Sequence, residues 1–424
     1  MGGDKRGQRR FRGLFKGSQI RALNNMHKIF SLTIISVLIL LAQSVFANDL
    51  STSSIKIKGN SYQISIPNGY KLEFINAKLS RPRLITFGKN GDLFIGSRSG
   101  YLYHLKPPYN KIHHQLDFGG YPHSIAFRYH DKNTEVFVAE SEGLYLANYN
   151  NDGFILARDD FSLVAPLPGG SSHSSRTVAV GPDQRVYVGL GISGNCSNEY
   201  LDSSYDFNHR RGGVFILDES TTTPQLVPFA SGLRNPIGFD WQPDSHELYA
   251  SNNGPDHLGY EEPREYFSKL RANSFHGMPW FQLIEGKIER DDCIKHKPPQ
   301  PKNKVVLPAA TFDARSAPMA VAFIDKNALD AHYSGDAIVA LHGSWGTKPS
   351  GGFSGNPASR RHPKLVRVDF KDDEAIAVKD FITGFQLENG SRWARPMGVA
   401  SGPDGALYFT SDTNNEGPYR LSKN

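Results

Sequence analysis

Past residue 47 the chain alternates apolar and polar positions with a period of two over short runs, and amphipathic helical stretches are scarce. An apolar run opens, a turn carrying Gly, Pro, Asp or Asn follows, and a second run rich in Tyr, Phe and Val closes. Six such units are found: PRLITFGKNGDLFIGSRSGYLYHL from Pro82, PHSIAFRYHDKNTEVFVAESEGLYLANY from Pro122, SRTVAVGPDQRVYVGLG from Ser175, PIGFDWQPDSHELYASNNG from Pro236, PMAVAFIDKNALDAHYSGDAIVALHGSW from Pro318 and PMGVASGPDGALYFTSDTNNEGPYRLS from Pro396. Each reads as a hairpin, and Asn90-Gly91 and Asp404-Gly405 supply the positive backbone dihedrals of tight turns.

Hairpins repeated in this way predict an all-β, six-bladed β-propeller, with inner strands crowding an axis and loops at one end forming a binding face. A two-sheet sandwich is the alternative, but it gives no reason for six related hairpins. Ser61–Leu79 reads as a strand pair outside the count, and an N-terminal strand completing the last blade would close the ring. The insertions at 255–317 and 343–363 are long enough to build a site.

The first 47 residues have a different character. Lys28 precedes an apolar run, Ile29–Ala42, and Val45 and Ala47 occupy compact cleavage-site positions. A signal peptide cleaved after Ala47 is expected, so that the chain divides into 1–47 and a single propeller domain, 48–424. The product would be periplasmic or secreted, with no stable membrane insertion. The run is short of the roughly 20 residues that an uncleaved anchor would need.

The net charge of +6 suggests an anionic partner until it is located. Eight Lys and Arg against one Asp lie in the first 47 residues, leaving 40 basic and 41 acidic residues in the body. That balance, with no basic stripe among aromatics, excludes nucleic-acid binding. Two cysteines exclude a disulfide scaffold or a Cys-rich metal protein, and Cys196 and Cys293, 97 residues apart, could be bridged or free.

Candidate chemistry lies where inner strands begin. His173 falls just before the third unit, where an imidazole that titrates near neutrality suits a general base; it is also one of 15 histidines and could be a loop residue. Arg234 and Asn235 precede the fourth inner strand, and Arg395 repeats the position in the sixth. Guanidiniums facing one cavity favour an anionic ligand, although an Arg bonding blade carbonyls is the simpler alternative for Arg234. Gly254 and Pro255 offer backbone carbonyls, ligands that suit Ca²⁺, beside the acidic Asp256, Glu261, Glu262 and Glu265, although the pattern is not an EF-hand and a solvated acidic loop is the simpler alternative. His209, Arg210, Arg211, Arg360 and Arg361 could steer an anion or solvate the surface.

The ordered pieces PHSIAF with VFVAE, HSSRTVAVGPD, GLRNPIGFDWQP with ELYASNNGPD, ALHGSW, and RPMGVASGPDGALYFTSD resemble the pyrroloquinoline quinone (PQQ) dependent sugar dehydrogenases, in their sorbosone dehydrogenase-like branch. The resemblance runs from about Asn68 to the C-terminus. It implies PQQ and Ca²⁺ at the top of the axis, a sugar substrate and an external electron acceptor. His173 would be the base that takes a hydroxyl proton, Arg234 and Asn235 would sit at the quinone oxygens, and Arg395 on the cofactor acids. Gly254 and Pro255 would ligate Ca²⁺, and Asp412 would lie near the cofactor.

Three positions depart from the soluble glucose dehydrogenase pattern. His342 stands where that pattern has a Lys on a cofactor carboxylate, Ile237 where it has a Gln, and the Asp that orients the base is replaced near Ile192. A protonated His342 could still donate to a carboxylate. Two other classes stay open on the residues alone, a Ca²⁺-dependent lactonase-type propeller hydrolase and a non-catalytic envelope binding module.

Overall fold

In a computed structural model, residue 1 and residues 49–149, 156–170 and 172–424 are described, so the expected signal peptide and its cleavage site lie outside the described residues. Leu50–Asn424 forms one compact unit, made almost entirely of strands.

Six sheets, antiparallel except for the short strand Ser274–Phe275 that joins the edge of the third in parallel, follow one another along the chain, with inner strands Pro82–Phe87, Ser124–Tyr129, Arg176–Val180, Phe239–Trp241, Pro318–Phe323 and Pro396–Ser401. Each belongs to one of the six hairpin units read from the sequence, and the molecule is a six-bladed propeller rather than a sandwich. The sixth blade takes its outer strand from the other end of the chain: Tyr70–Phe74 pairs antiparallel with Gly417–Lys423. Of the two strands expected within Ser61–Leu79, this is the one that closes the ring. The other, Asn60–Pro67, pairs instead with Leu50–Ile57. That hairpin buries Ile55, Ile57, Ile64 and Ile66 against the packed side chains of the last two blades.

Near the axis the blades approach too closely for large side chains, and hydroxyls bridge them. Thr86 Oγ1 donates to the Ile125 carbonyl at 2.6 Å, Ser124 Oγ to Arg176 at 2.9 Å and Thr410 Oγ1 to Arg83 at 2.6 Å. Thr177 bridges to Ile237 and Ser251 to Met319 in the same way. Gly96 belongs to this crowding, since a Cβ there would collide with the His123 carbonyl. Each bond satisfies a carbonyl that would otherwise be buried without a partner. Between the inner strands lies an axial cavity of about 340 Å³, whose lining includes Thr86, Ile125, Val178, Asp240, Val321 and Ser401.

In antiparallel register Pro82 faces Ser97, Arg176 faces Leu190, Pro318 faces Leu341 and Pro396 faces Ser411. The start of each inner strand and the end of the next strand therefore lie on one face, and the long insertions emerge there. A Cys196–Cys293 disulfide ties the loop between strands Val186–Leu190 and Gly213–Asp218 to the 255–317 insertion.

Candidate active site

His173 stands three residues before its inner strand with φ of +43°, a left-handed conformation costly for a side chain with a Cβ. Two buried arginines hold it there. Arg176 donates to the His173 carbonyl at 2.6 Å and to Pro168 at 2.7 Å. Arg211 donates to the carbonyls of Gly191, Gly169 and Ser172 at 2.8, 2.9 and 2.8 Å. Arg211 is thus not the surface or steering residue that the sequence suggested; it is 2% exposed and braces the loop that carries the histidine.

The His173 Nδ1 bonds the carbonyl oxygen of Ile192. A carbonyl only accepts, so Nδ1 carries the proton and Nε2 keeps its lone pair. Burial, and then the nearby Arg234 guanidinium, pull the imidazole down to about 4, so it is neutral at physiological pH. The orienting carboxylate missing near Ile192 is replaced by the main-chain carbonyl of that residue. Gly191 lets the neighbours close in: a Cβ on it would lie 2.8 Å from His173 Cβ and would overlap Asn235 Oδ1.

Asn235 is held by its own backbone N–H, which donates to Asn252 Oδ1 at 2.9 Å, and by its amide, which donates to Asn253 Oδ1 at 3.1 Å. Arg234 donates from Nη2 to Asn195 Oδ1 at 2.7 Å and lies 3.6 Å from Asp256 Oδ2. Its Nε is buried with no partner among the described residues. The loop that follows is tied by Arg315, which bonds the Asp256 carboxylate and the Asp256 and Gly259 carbonyls. Glu265, pushed up to about 7 by burial, accepts from the Gly254 N–H. The carbonyls of Gly254 and Pro255 accept no hydrogen bond among the described residues.

On the other side of the axis Asp412 receives Arg83 Nη1 and, at 2.7 Å, His342 Nε2. Burial opposes ionisation of Asp412, but His342, Arg83 and Arg395 outweigh it and hold the carboxyl well below the usual range. Burial and Arg395 pull His342 down to about 4 despite Asp412. His342 is therefore neutral, and its one N–H points at Asp412 rather than at a ligand, unlike the protonated donor that the sequence allowed. Arg395 donates to the His342 carbonyl at 2.9 Å and to Gly343 at 3.0 Å, leaving Nη1 without a protein partner among the described residues. Ile237 is buried in the apolar packing and contributes only its carbonyl, to Thr177.

Two groups on this face escaped the sequence reading. Arg83 donates from Nε to His123 Nδ1 at 3.4 Å, which puts the His123 proton on Nε2, and that atom is buried without a partner. Both residues follow a proline that opens an inner-strand unit, so aligning the six units would have found them. Asn195 and Arg315 carry no such signal, because they come from loops outside the six units, and Asn253 directly follows the second strand of the fourth.

These groups suit a planar, acidic quinone with a hard cation. Unpartnered nitrogens on Arg234 and His123 are donors buried without an acceptor, guanidiniums outnumber carboxylates, and two adjacent carbonyls are free.

Known proteins share this architecture. A curated protein of Borreliella burgdorferi, described only as uncharacterized, is 26% identical over 396 residues, covering 90% of this chain and 95% of that one. The holo PQQ domain of pyranose dehydrogenase from Coprinopsis cinerea superposes with a TM-score of 0.64 at 18% identity, covering 85% of this chain and 97% of that domain. A calcium structure of a Trichoderma reesei carbohydrate-active enzyme of family AA12 gives 0.68 at 16% identity, covering 89% and 100%. A family model described as TrAA12-like matches residues 64–267 and 289–417. The chain accordingly belongs to the TrAA12-like family of AA12 PQQ-dependent oxidoreductases.

Proposed function

We propose that this chain is an exported, PQQ- and Ca²⁺-dependent dehydrogenase that oxidises an aldose or sorbosone-like sugar and delivers the electrons to an external acceptor. The observation that carries the reading is the state of His173: neutral, with Nδ1 tied to the Ile192 carbonyl and Nε2 free to accept a proton. Residues 1–47 are taken as the signal removed on export, leaving 48–424 as the working domain.

Bound PQQ would supply the two-electron acceptor, the chemistry that the side chains lack. Arg234 and Asn235, adjacent to the base, would hold the quinone oxygens, and Arg234 would stabilise negative charge there. Arg395 and Arg83 would face the cofactor acids, with Asp412 and His342 fixing the direction of Arg83. Gly254 and Pro255 would present their carbonyls to Ca²⁺, their loop braced by Arg315 and Glu265. His173 Nε2 takes the sugar hydroxyl proton. The same burial and positive charge that keep the imidazole neutral favour release of that proton afterwards, which resets the base. Of the two related structures, one is a calcium structure and the other a holo PQQ domain, which supports this cofactor pair.

The test is dye reduction by the purified protein, apo and after addition of PQQ, Ca²⁺ or both, across a panel of aldoses and sorbosone. Turnover only with both additions is expected. Failure to bind PQQ, read as no retention of quinone absorbance on gel filtration, overturns the reading.

A further inference from the structure

We propose that the sugar is anionic, its carboxylate or phosphate held by Arg360 and Arg392 beside an aromatic platform of Trp345 and Phe353; the inference rests on the dehydrogenase reading above. Three guanidiniums converge on one stretch of the insertion after the fifth blade's second strand. Arg395 bonds the carbonyls of His342 and Gly343, as described. Arg392 donates to the next carbonyl, Ser344, at 2.6 Å and to Arg361 at 3.1 Å. Arg360 adjoins Arg361, whose own N–H donates to Ser344 Oγ at 2.8 Å. The insertion thus leaves and returns through the same few carbonyls and brings Arg360 beside Arg392 and Arg395.

No carboxylate among the described residues pairs with any of these three. Asp412 is engaged with Arg83 and His342, and Glu261 with Arg361 and Lys348. The Arg360 guanidinium makes no hydrogen bond among the described residues, and its Nε is buried. Burial first, and then the neighbouring Arg395 and Arg360, pull Arg392 down to about 9. Such a cluster is stabilised by an anion of fork geometry, a carboxylate or a phosphate.

The same insertion carries an exposed aromatic pair. Trp345 is 42% and Phe353 76% exposed, with ring centroids 4.6 Å apart. Trp345 directly follows Ser344, whose carbonyl anchors Arg392. An apolar surface left open beside a cationic cluster suits a ligand with both a C–H face and a charge. A sugar acid or sugar phosphate has both, and it would be held on the rim formed by the same segment that carries His342.

Binding of D-glucuronate, D-glucose 6-phosphate and D-glucose to the purified protein is measured by calorimetry, for wild type, Arg360→Ala, Arg360→Lys and Trp345→Ala. Arg360 is the residue of choice because its guanidinium braces no loop. One of the charged sugars is expected to bind about tenfold or more tighter than glucose. Arg360→Ala removes that preference, Arg360→Lys restores part of it, and Trp345→Ala weakens charged and neutral sugars alike. Which charged sugar binds tighter separates carboxylate from phosphate. Equal binding of charged and neutral sugars, or a preference that survives Arg360→Ala, overturns the proposal. So does an Arg360→Ala protein that loses PQQ affinity while sugar selectivity stays unchanged, because the arginine then serves the cofactor. Dye reduction run in parallel separates the two readings: an Arg360-dependent preference without turnover sinks the dehydrogenase alone, and turnover without the preference sinks the anionic substrate alone.

Discussion

Gly191→Ala perturbs the proposed base without touching its chemistry. Gly191 has no left-handed backbone that would exclude alanine, so the effect is steric. The new methyl would sit 2.8 Å from His173 Cβ, against ordinary contacts of 3.4–4 Å, and would overlap Asn235 Oδ1. Restoring contact means moving His173 by about 0.6 Å, in a loop that Arg176 and Arg211 hold on the other side, and the Asn235 amide by about 1.0 Å. A displacement approaching 1 Å in a catalytic group costs up to about 100-fold in rate, so a 10- to 100-fold fall in kcat is expected, with about 1–3 kcal/mol of lost stability from overpacking. Steady-state dye reduction by the reconstituted enzyme, with a thermal melt on the same samples, reads both. Gly352→Ala is the control, its methyl meeting only Ser350 Oγ at 3.5 Å. A Gly191→Ala enzyme with wild-type kcat and an intact fold would refute the argument that His173 and Asn235 work as a close pair.

Other consequences are separate. Replacing Cys196 and Cys293 by Ser opens a loop of sequence separation 97, worth about 4–5 kcal/mol by chain entropy, and should lower the melting temperature; an unchanged melt would show that the bridge adds nothing. Mild acid should remove the stability contributed by three buried histidines. His173, His276 and His342 are each pulled down to about 4, by burial first, and stay neutral while the unfolded chain takes up protons near 6.5. The histidines' contribution is full above about pH 6.5 and is lost as pH falls towards 4, by an amount on the order of 3 kcal/mol for the fully buried His276; Glu265 and Asp240, pushed up to about 7 and about 6 by burial, act with the opposite sign, so the histidine part is read as the difference in urea midpoint between wild type and His276→Gln across that range. Asp412→Ala strands a buried Arg83 and should cost about 3–5 kcal/mol in the same denaturation assay, whereas Asp412→Asn, which still accepts, should cost less.

The fold was legible because its unit is local. An inner strand, a Gly turn and a second strand fall within about two dozen residues, as in Pro82–Leu105, and neither partner depends on distant chain. The closing strand was anticipated because an open ring leaves an unpaired edge, but the pairing of Asn60–Pro67 with Leu50–Ile57 was not. The site divides along the same line. His173, Arg234, Asn235 and Arg395 announce themselves by their place before inner strands, and Arg83 and His123 would have done so with the units aligned. What orients His173 was sought among carboxylates and is the carbonyl of Ile192, an atom that every residue type carries. The state of His342 depends on Asp412, 70 residues away, and on the burial that Arg395 shares. Arg211 looked like surface charge because its neighbours Arg210 and His209 are more open, and only the fold shows it beneath the His173 loop.

The most direct test of the central claim follows the bound quinone itself. The protein is loaded with PQQ and Ca²⁺, mixed with a turned-over sugar in the absence of any acceptor, and its quinone absorbance recorded by stopped flow for wild type and His173→Ala. If His173 is the base, wild type bleaches in a single exponential, and His173→Ala retains its PQQ but bleaches at least about 100-fold more slowly. Equal bleaching rates in the two proteins would contradict the assignment of His173 and the account built on it.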